Sequence, residues 1–258
     1  MLNNPDIEVM TGHSGMVDGR PTLVLIHGSG GTAASWGAQI NPLDRHLNVL
    51  ALSLPGHGKT RGPLLESALE YGRWIERTLE TLRVPEPCIL CGISFGGAVA
   101  LESVRLNAKR YRGLVLISTG ATLNHSVEII GQLGENWPEA ARRFIHLIFA
   151  DNGKVRVREI SYTALLAAGP EILFADLAAS RQFDFRNQLK DISIPCLVIG
   201  GEEDRVVPPE KWTVLTENIP DAQLIMIKKA GHMVIVEQFR MVNDAILKFV
   251  TDIGISRL

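Results

Sequence analysis

Gly92-Ile93-Ser94-Phe95-Gly96 places a serine with a glycine two residues to either side, between the apolar run Pro87 to Cys91 and the alanine-rich run Gly97 to Val104. A serine hydroxyl is a weak nucleophile until a neighbouring base takes its proton, and a sharp turn from strand to helix is one way to hold it exposed for attack. Such a turn strains the backbone at the serine, so the positions two before and two after it cannot carry a side chain. Gly92 and Gly96 meet that condition. The first amides of the following helix, Phe95's among them, would then face negative charge building up on the group that Ser94 attacks. The chemistry implied is acyl transfer, with Ser94 as nucleophile.

The base and its orienter have to come from elsewhere in the chain. Of seven histidines, His232 in Ala230-Gly231-His232-Met233 follows the last apolar run and precedes a helical stretch, Gln238 to Phe249. It therefore falls in a loop at the sheet edge from which Ser94 emerges. His27 and His57 lie in glycine-rich segments and shape loops, His125 and His146 fall in a helical region, and His13 and His46 follow no strand. Asp204, in Gly200-Gly201-Glu202-Glu203-Asp204-Arg205-Val206-Val207-Pro208, follows another apolar run and supplies the acid, with Glu202 and Glu203 as rivals in the same turn. No carboxylate follows the run ending at Ser118. The chain order Ser, Asp, His, each at a strand's carboxyl end, is that of a hydrolytic triad on a parallel sheet.

The elements that must position these groups are written in hydrophobic runs. Thr22 to His27 and Leu47 to Leu54 are continuous apolar stretches, as strands buried on both faces of a parallel sheet should be, and the run into Ser94, Arg112 to Ser118, Pro195 to Gly200 and Gln223 to Lys228 read as further strands. Ile7 to Thr11 reads as an edge strand and His13 to Arg20 as a hairpin or loop. Leu69 to Leu82 repeats apolar residues at helical spacing, while Ala33 to Leu43 leaves room only for a short crossover. Alternating strands and helices predict an α/β domain, with a mostly parallel central sheet flanked by helices and joined by right-handed crossovers. From about residue 120 to 185 the alternation stops and helical patterns follow one another: Glu139 to Phe149, Val157 to Ala168, Pro170 to Ser180. The division expected is a core of residues 1–119 and 186–258 with a helical cap, 120–185, over Ser94. Phe144, Phe149, Leu165 and Phe174 are cap residues that either pack on the core or line a pocket, packing being the commoner role.

With 258 residues the chain suits one large domain that buries its own core without staples. A net charge of −2 with no basic tract offers nothing for nucleic acid or an anionic membrane surface. Met1 to Gly12 has no basic-then-apolar leader pattern, and an odd set of cysteines, Cys88, Cys91 and Cys196, gives no disulfide framework. Both point to the cytoplasm. Cys88 and Cys91 resemble a metal or redox pair, but residues three apart on a strand face opposite sides, so they read as buried small residues.

Taken together these segments resemble the α/β-hydrolase superfamily over nearly the full chain. His27-Gly28-Ser29-Gly30-Gly31 is similar to the family's oxyanion loop, which makes the Ser29 amide the partner of the Phe95 amide. Leu54-Pro55-Gly56-His57-Gly58 resembles the family's Pro-Gly-x-Gly segment, with Ser53 where an aspartate usually stands. Dehalogenase- and epoxide-hydrolase-like members carry aspartate in place of Ser94, and carbon–carbon bond hydrolases often have a tryptophan after the histidine, where this chain has Met233. The resemblance therefore implies a serine hydrolase of the α/β-hydrolase fold that cleaves a small carboxylic ester, lactone or thioester through an acyl-enzyme, with Ser94, Asp204 and His232 catalytic. The expected partner is a small-molecule ester-type substrate, without nucleic acid, membrane, cofactor or metal, and the chain is expected to act as a monomer or weak homodimer. The alternatives are a carbon–carbon bond hydrolase or a ligand-binding receptor on the same fold. A dinucleotide-dependent oxidoreductase is suggested only by Gly28-x-Gly30-x-x-Ala33, and lacks the acid that a second strand ending Ala51-Leu52-Ser53-Leu54 would need.

Overall fold

The structure is a computed structural model that describes residues 4–123, 129–131, 136–151 and 155–254. His125 and parts of the 120–185 region lie outside the described residues. Strands β1 (Val9–Thr11), β2 (Thr22–Ile26), β3 (Asn48–Leu52), β4 (Cys88–Ile93), β5 (Tyr111–Ile117), β6 (Cys196–Gly201) and β7 (Ala222–Ile227) form one sheet in the order β1-β3-β2-β4-β5-β6-β7. β1 runs antiparallel to β3 and every other pairing is parallel. The loop after β1 is not a hairpin, because β1 pairs with β3 rather than β2. The Asn48 side chain pins it instead, accepting from the Val17 amide and donating to the Val17 and Arg20 carbonyls.

β2, β3, β4 and β6 are buried along their whole length, which accounts for their unbroken apolar runs. Each strand feeds two cores. Cys88 and Leu90 of β4 belong to the core on one face, Ile89 and Cys91 to the core on the other. The two thiols diverge as their spacing requires, and all three cysteines are free and buried.

Between β2 and β3 runs a single-turn 3-10 helix, Ala33–Trp36, followed by α1 (Gly37–Leu43). α2 (Ala68–Thr81) starts at Ser67, whose hydroxyl accepts from the Glu70 amide, and buries the stripe Tyr71, Ile75, Thr78 and Leu79. α3 (Phe95–Leu106) starts directly after Ser94. α4 (Trp137–Ile148), α5 (Val155–Ala168) and α6 (Pro170–Arg181) follow β5, with no intervening strand among the described residues. α5 and α6 meet at Gly169, whose φ of 91° turns the chain through a bend of 94°. No single helix among the described residues is long and apolar enough to cross a membrane.

This insertion leaves and rejoins the sheet edge through a narrow neck. Thr122 and Asp184 form an antiparallel bridge, and the Phe185 amide donates to the Ala121 carbonyl at 2.8 Å. The chain closes with α7 (Pro209–Asn218), β7, a short α8 (Val234–Glu237) and α9 (Phe239–Asp252).

β4, at the centre of the sheet, carries a position with no room for a side chain. A methyl group on Gly92 would lie 2.1 Å from the Gly96 carbonyl oxygen and 2.6 Å from the Gly97 nitrogen, both of them backbone atoms unable to move aside. Gly92→Ala is expected to cost roughly 3 kcal/mol of stability. Urea unfolding measures this, and a midpoint unchanged from wild type would contradict the packing described.

Candidate active site

Ser94 sits at the junction of β4 and α3 with φ 54° and ψ −122°, a region that residues with side chains rarely occupy. Its amide donates to the Ile117 carbonyl at 2.9 Å, and its own carbonyl accepts from Gly97 and Ala98, so the backbone is held from both sides. Gly96 brings the first turn of α3 against β2. A methyl group there would lie 2.4 Å from the carbonyl oxygens of both Ile26 and His27.

The segment Gly28 to Gly31 crosses in front of that junction. A methyl group on Gly28 would approach the Ser94 Cβ to 3.2 Å, which fixes how closely the loop passes the serine. The Gly31 amide donates to the Gly28 carbonyl and the Gly30 amide to Asp176 Oδ2. Among the described residues, the amides of Ser29 and Phe95 donate to no acceptor in the loops and turns. Phe95 opens α3, where amides have no partner within the helix.

Asp204 and His232 are buried and meet directly. Asp204 Oδ1 accepts from the amides of Val206 and Val207 at 2.8 and 2.9 Å, and Oδ2 accepts from His232 Nδ1 at 2.9 Å. A proton on Nδ1 leaves Nε2 as the ring's basic nitrogen. The rivals Glu202 and Glu203 are exposed. Ser29, Ser94 and His232 line one cavity of about 400 Å³. Its remaining wall comes largely from apolar residues of the insertion, among them Ile129, Phe144, Ile148, Leu165 and Leu177, and among the described residues no Asp, Glu, Lys or Arg lines it. Of the four insertion residues singled out in the sequence, Phe144 and Leu165 face this cavity. Phe149 and Phe174 pack instead, the latter beside Trp137 at 6.4 Å between ring centroids.

Residues 23–245 match the family model described as the alpha/beta hydrolase family. The chain belongs to the alpha/beta hydrolase family. Two relatives are pimeloyl-[acyl-carrier protein] methyl ester esterases, from Nitrosospira multiformis and Aromatoleum aromaticum. Each is 30% identical over 83% of this chain, covering 88% and 91% of the relative's length. A solved thermophilic esterase superposes with a TM-score of 0.84 at 28% identity, covering 96% of this chain and 94% of that one.

In this hydrolase several supports have no counterpart in the sequence pattern. Glu237 accepts from the amides of Gly231 and Ala150, tying the His232 loop to the end of α4, and the Met233 amide donates to Ile148. Arg205, beside Asp204, donates to the carbonyls of His146 and Phe149 at 2.7 Å and to Asp151. Where the family usually has an aspartate, Ser53 donates to Glu8 at 2.6 Å, so a carboxylate from the segment entering β1 reaches the same spot. Asp176, in α6, is fully buried against His57 at 2.9 Å. The sequence separations, 119 residues for that last pair, explain why spacing could not reveal them.

His27 precedes the loop and is locked in one neutral form. Its Nδ1 faces the Gly28 carbonyl and its Nε2 accepts from the Leu54 amide. Burial first, and the neighbouring His57 second, push its pKa down to about 3 against the pull of the Gly28 carbonyl. Unfolded, the ring titrates near 6.5, so folding loses free energy as pH falls from about 6.5 towards 3 and loses none above that range. Replacing His27 by Gln should flatten the fall of stability across that window. Thermal unfolding at stepped pH reads it, and an equally steep fall in the variant would contradict this assignment.

Proposed function

We propose that this hydrolase is a serine esterase acting on carboxylic esters with an uncharged, largely apolar acyl group. The observation that carries the reading is the buried Asp204–His232 pair opening, with Ser94, onto a single cavity that no Asp, Glu, Lys or Arg lines among the described residues. His232 Nε2 takes the Ser94 proton as the hydroxyl oxygen attacks the ester carbonyl, and Asp204 holds and stabilises the imidazolium. The amides of Ser29 and Phe95 receive the negative oxygen of the tetrahedral intermediate. Its collapse expels the alcohol, protonated by His232, and leaves an acyl-enzyme that water cleaves by the same route. Residues 120–185 act as a cap: the apolar wall they lend the cavity selects the acyl group and excludes bulk water.

The relatives named above act on a methyl ester of an acyl group borne by a carrier protein. A methylene chain suits the same apolar wall, so a short alcohol on a carried acyl chain is the second reading, favoured by the uncharged lining. Carbon–carbon hydrolysis and ligand sensing on this fold gain no such support.

Ser94→Ala and His232→Ala should lower turnover of nitrophenyl esters by about 10⁴- to 10⁶-fold, and Asp204→Asn by about 10⁴-fold, with little change in substrate affinity. Across a panel of esters, lactones and thioesters, neutral acyl groups of short to medium length should be preferred. Near-full turnover in Ser94→Ala, or a strong preference for a polyanionic acyl group, would overturn the reading.

A further inference from the structure

Behind the Gly28–Gly31 loop lies a buried polar cluster that hydrolysis itself does not use. Asp176, inside α6, and His57, in the Pro55–Gly58 turn, are both fully buried at the side chain. Asp176 Oδ2 accepts from His57 Nε2 at 2.9 Å and from the Gly30 amide at 2.8 Å. His57 Nδ1 faces the Pro55 carbonyl at 3.0 Å. Both ring nitrogens thus face oxygen atoms, and beside an ionised Asp176 this favours a proton on each, the imidazolium form. Tyr71 Oη lies 3.5 Å from Asp176 Oδ1, and the Tyr71 ring packs edge-on against Phe95 at 5.4 Å.

We propose that the buried Asp176–His57 ion pair is a positioning device through which α6 sets the Ser29 amide for the oxyanion. Its catalytic consequence rests on the esterase reading. The Ser29 amide has tied neighbours on both sides: His27 Nδ1 holds the Gly28 carbonyl, and Asp176 holds the Gly30 amide. A peptide anchored at each end has little freedom to swing its N–H away. α5 and α6 also press on the loop sterically, since a methyl group on Gly30 would lie 3.0 Å from Leu165 Cδ1 and 3.4 Å from Leu173 Cδ1. The Asp176 carboxylate hydrogen-bonds both the His57 turn and the loop, joining them to the helical insertion. His57 balances its charge, because burying a carboxylate without a partner is costly. Asp176 is therefore a positioning residue: it touches the loop and not the reacting atoms. A docked α6 and a competent oxyanion site become one condition, so the site is complete only when the insertion is seated.

The test uses Asp176→Asn and His57→Gln in the full chain. A trifluoromethyl ketone, which adds to the serine as a tetrahedral oxyanion, reports the positioned amide where KM does not. In Asp176→Asn its inhibition constant should rise by about 10- to 100-fold, in step with the fall in kcat, while KM stays within about threefold. Hydrogen exchange over residues 28–31 should quicken. His57→Gln, whose amide can still donate to Asp176, should show both changes to a lesser degree. A lower Tm with wild-type kcat, inhibition constant and exchange in both variants would overturn the proposal, as would a rise confined to KM. Should Asp176→Asn fail to fold, His57→Gln decides: wild-type inhibition and exchange reject the device, and changes in both support it. Failure of the esterase reading is seen separately, as absent ester turnover in the wild-type protein, and the exchange measurement still tests the clamp.

Discussion

The backbone of Ser94 is the constraint on which the rest depends. Holding a residue with a side chain at φ 54° costs roughly 1–3 kcal/mol, and such a conformation persists only where the surroundings over-determine it. Here they do. β4 is paired on both edges, the Ser94 amide is bound by Ile117 of β5, and α3 is drawn so close to β2 and β4 that Gly92 and Gly96 have no room for a methyl group. One strained peptide therefore aims the hydroxyl and the first amide of α3 at the same side of the sheet, and the same close approach brings Gly28 against Ser94.

The remaining groups reach that side by two routes. Asp204 and His232 arrive on loops after β6 and β7, the neighbouring positions in the sheet, which is enough to bring residues 28 apart in sequence to 2.9 Å. The helical insertion arrives from above and is tied down at several places. Arg205 and Glu237 fasten the end of α4 beside the acid and histidine loops, and Asp176 fastens α6 behind the Gly28–Gly31 loop. Apolar residues of the same helices wall the cavity. Under the proposed function the insertion is thus part of the site's framework as well as its cover.

Much of this was legible in the sequence, for physical reasons. Strands buried on both faces must be apolar throughout, so β2, β3, β4 and β6 stood out, and a glycine pair around a serine after such a run has few structural uses. The meeting of Asp204 and His232 followed because a parallel sheet brings its carboxyl ends together. What stayed hidden were the contacts whose two halves have no fixed spacing. Asp176 looks like any polar residue of an amphipathic helix until His57 and the Gly30 amide are seen to bury it. Phe144 and Phe149 were indistinguishable by pattern, and only the end of α4 at Ile148 separates the one facing the cavity from the one packed beneath it. Ser53 read as a missing acid, whereas Glu8, 45 residues away, supplies the carboxylate.

The central claim is that Ser94 is the covalent nucleophile of an ester-cleaving site. Mass spectrometry of the protein after incubation with a fluorophosphonate measures it most directly, read beside residual turnover of a short nitrophenyl ester. A single adduct per chain is expected, on the peptide bearing Ser94, with ester turnover falling in proportion to labelling. Turnover that survives complete labelling, or an adduct on any other residue that accounts for the lost activity, would contradict it.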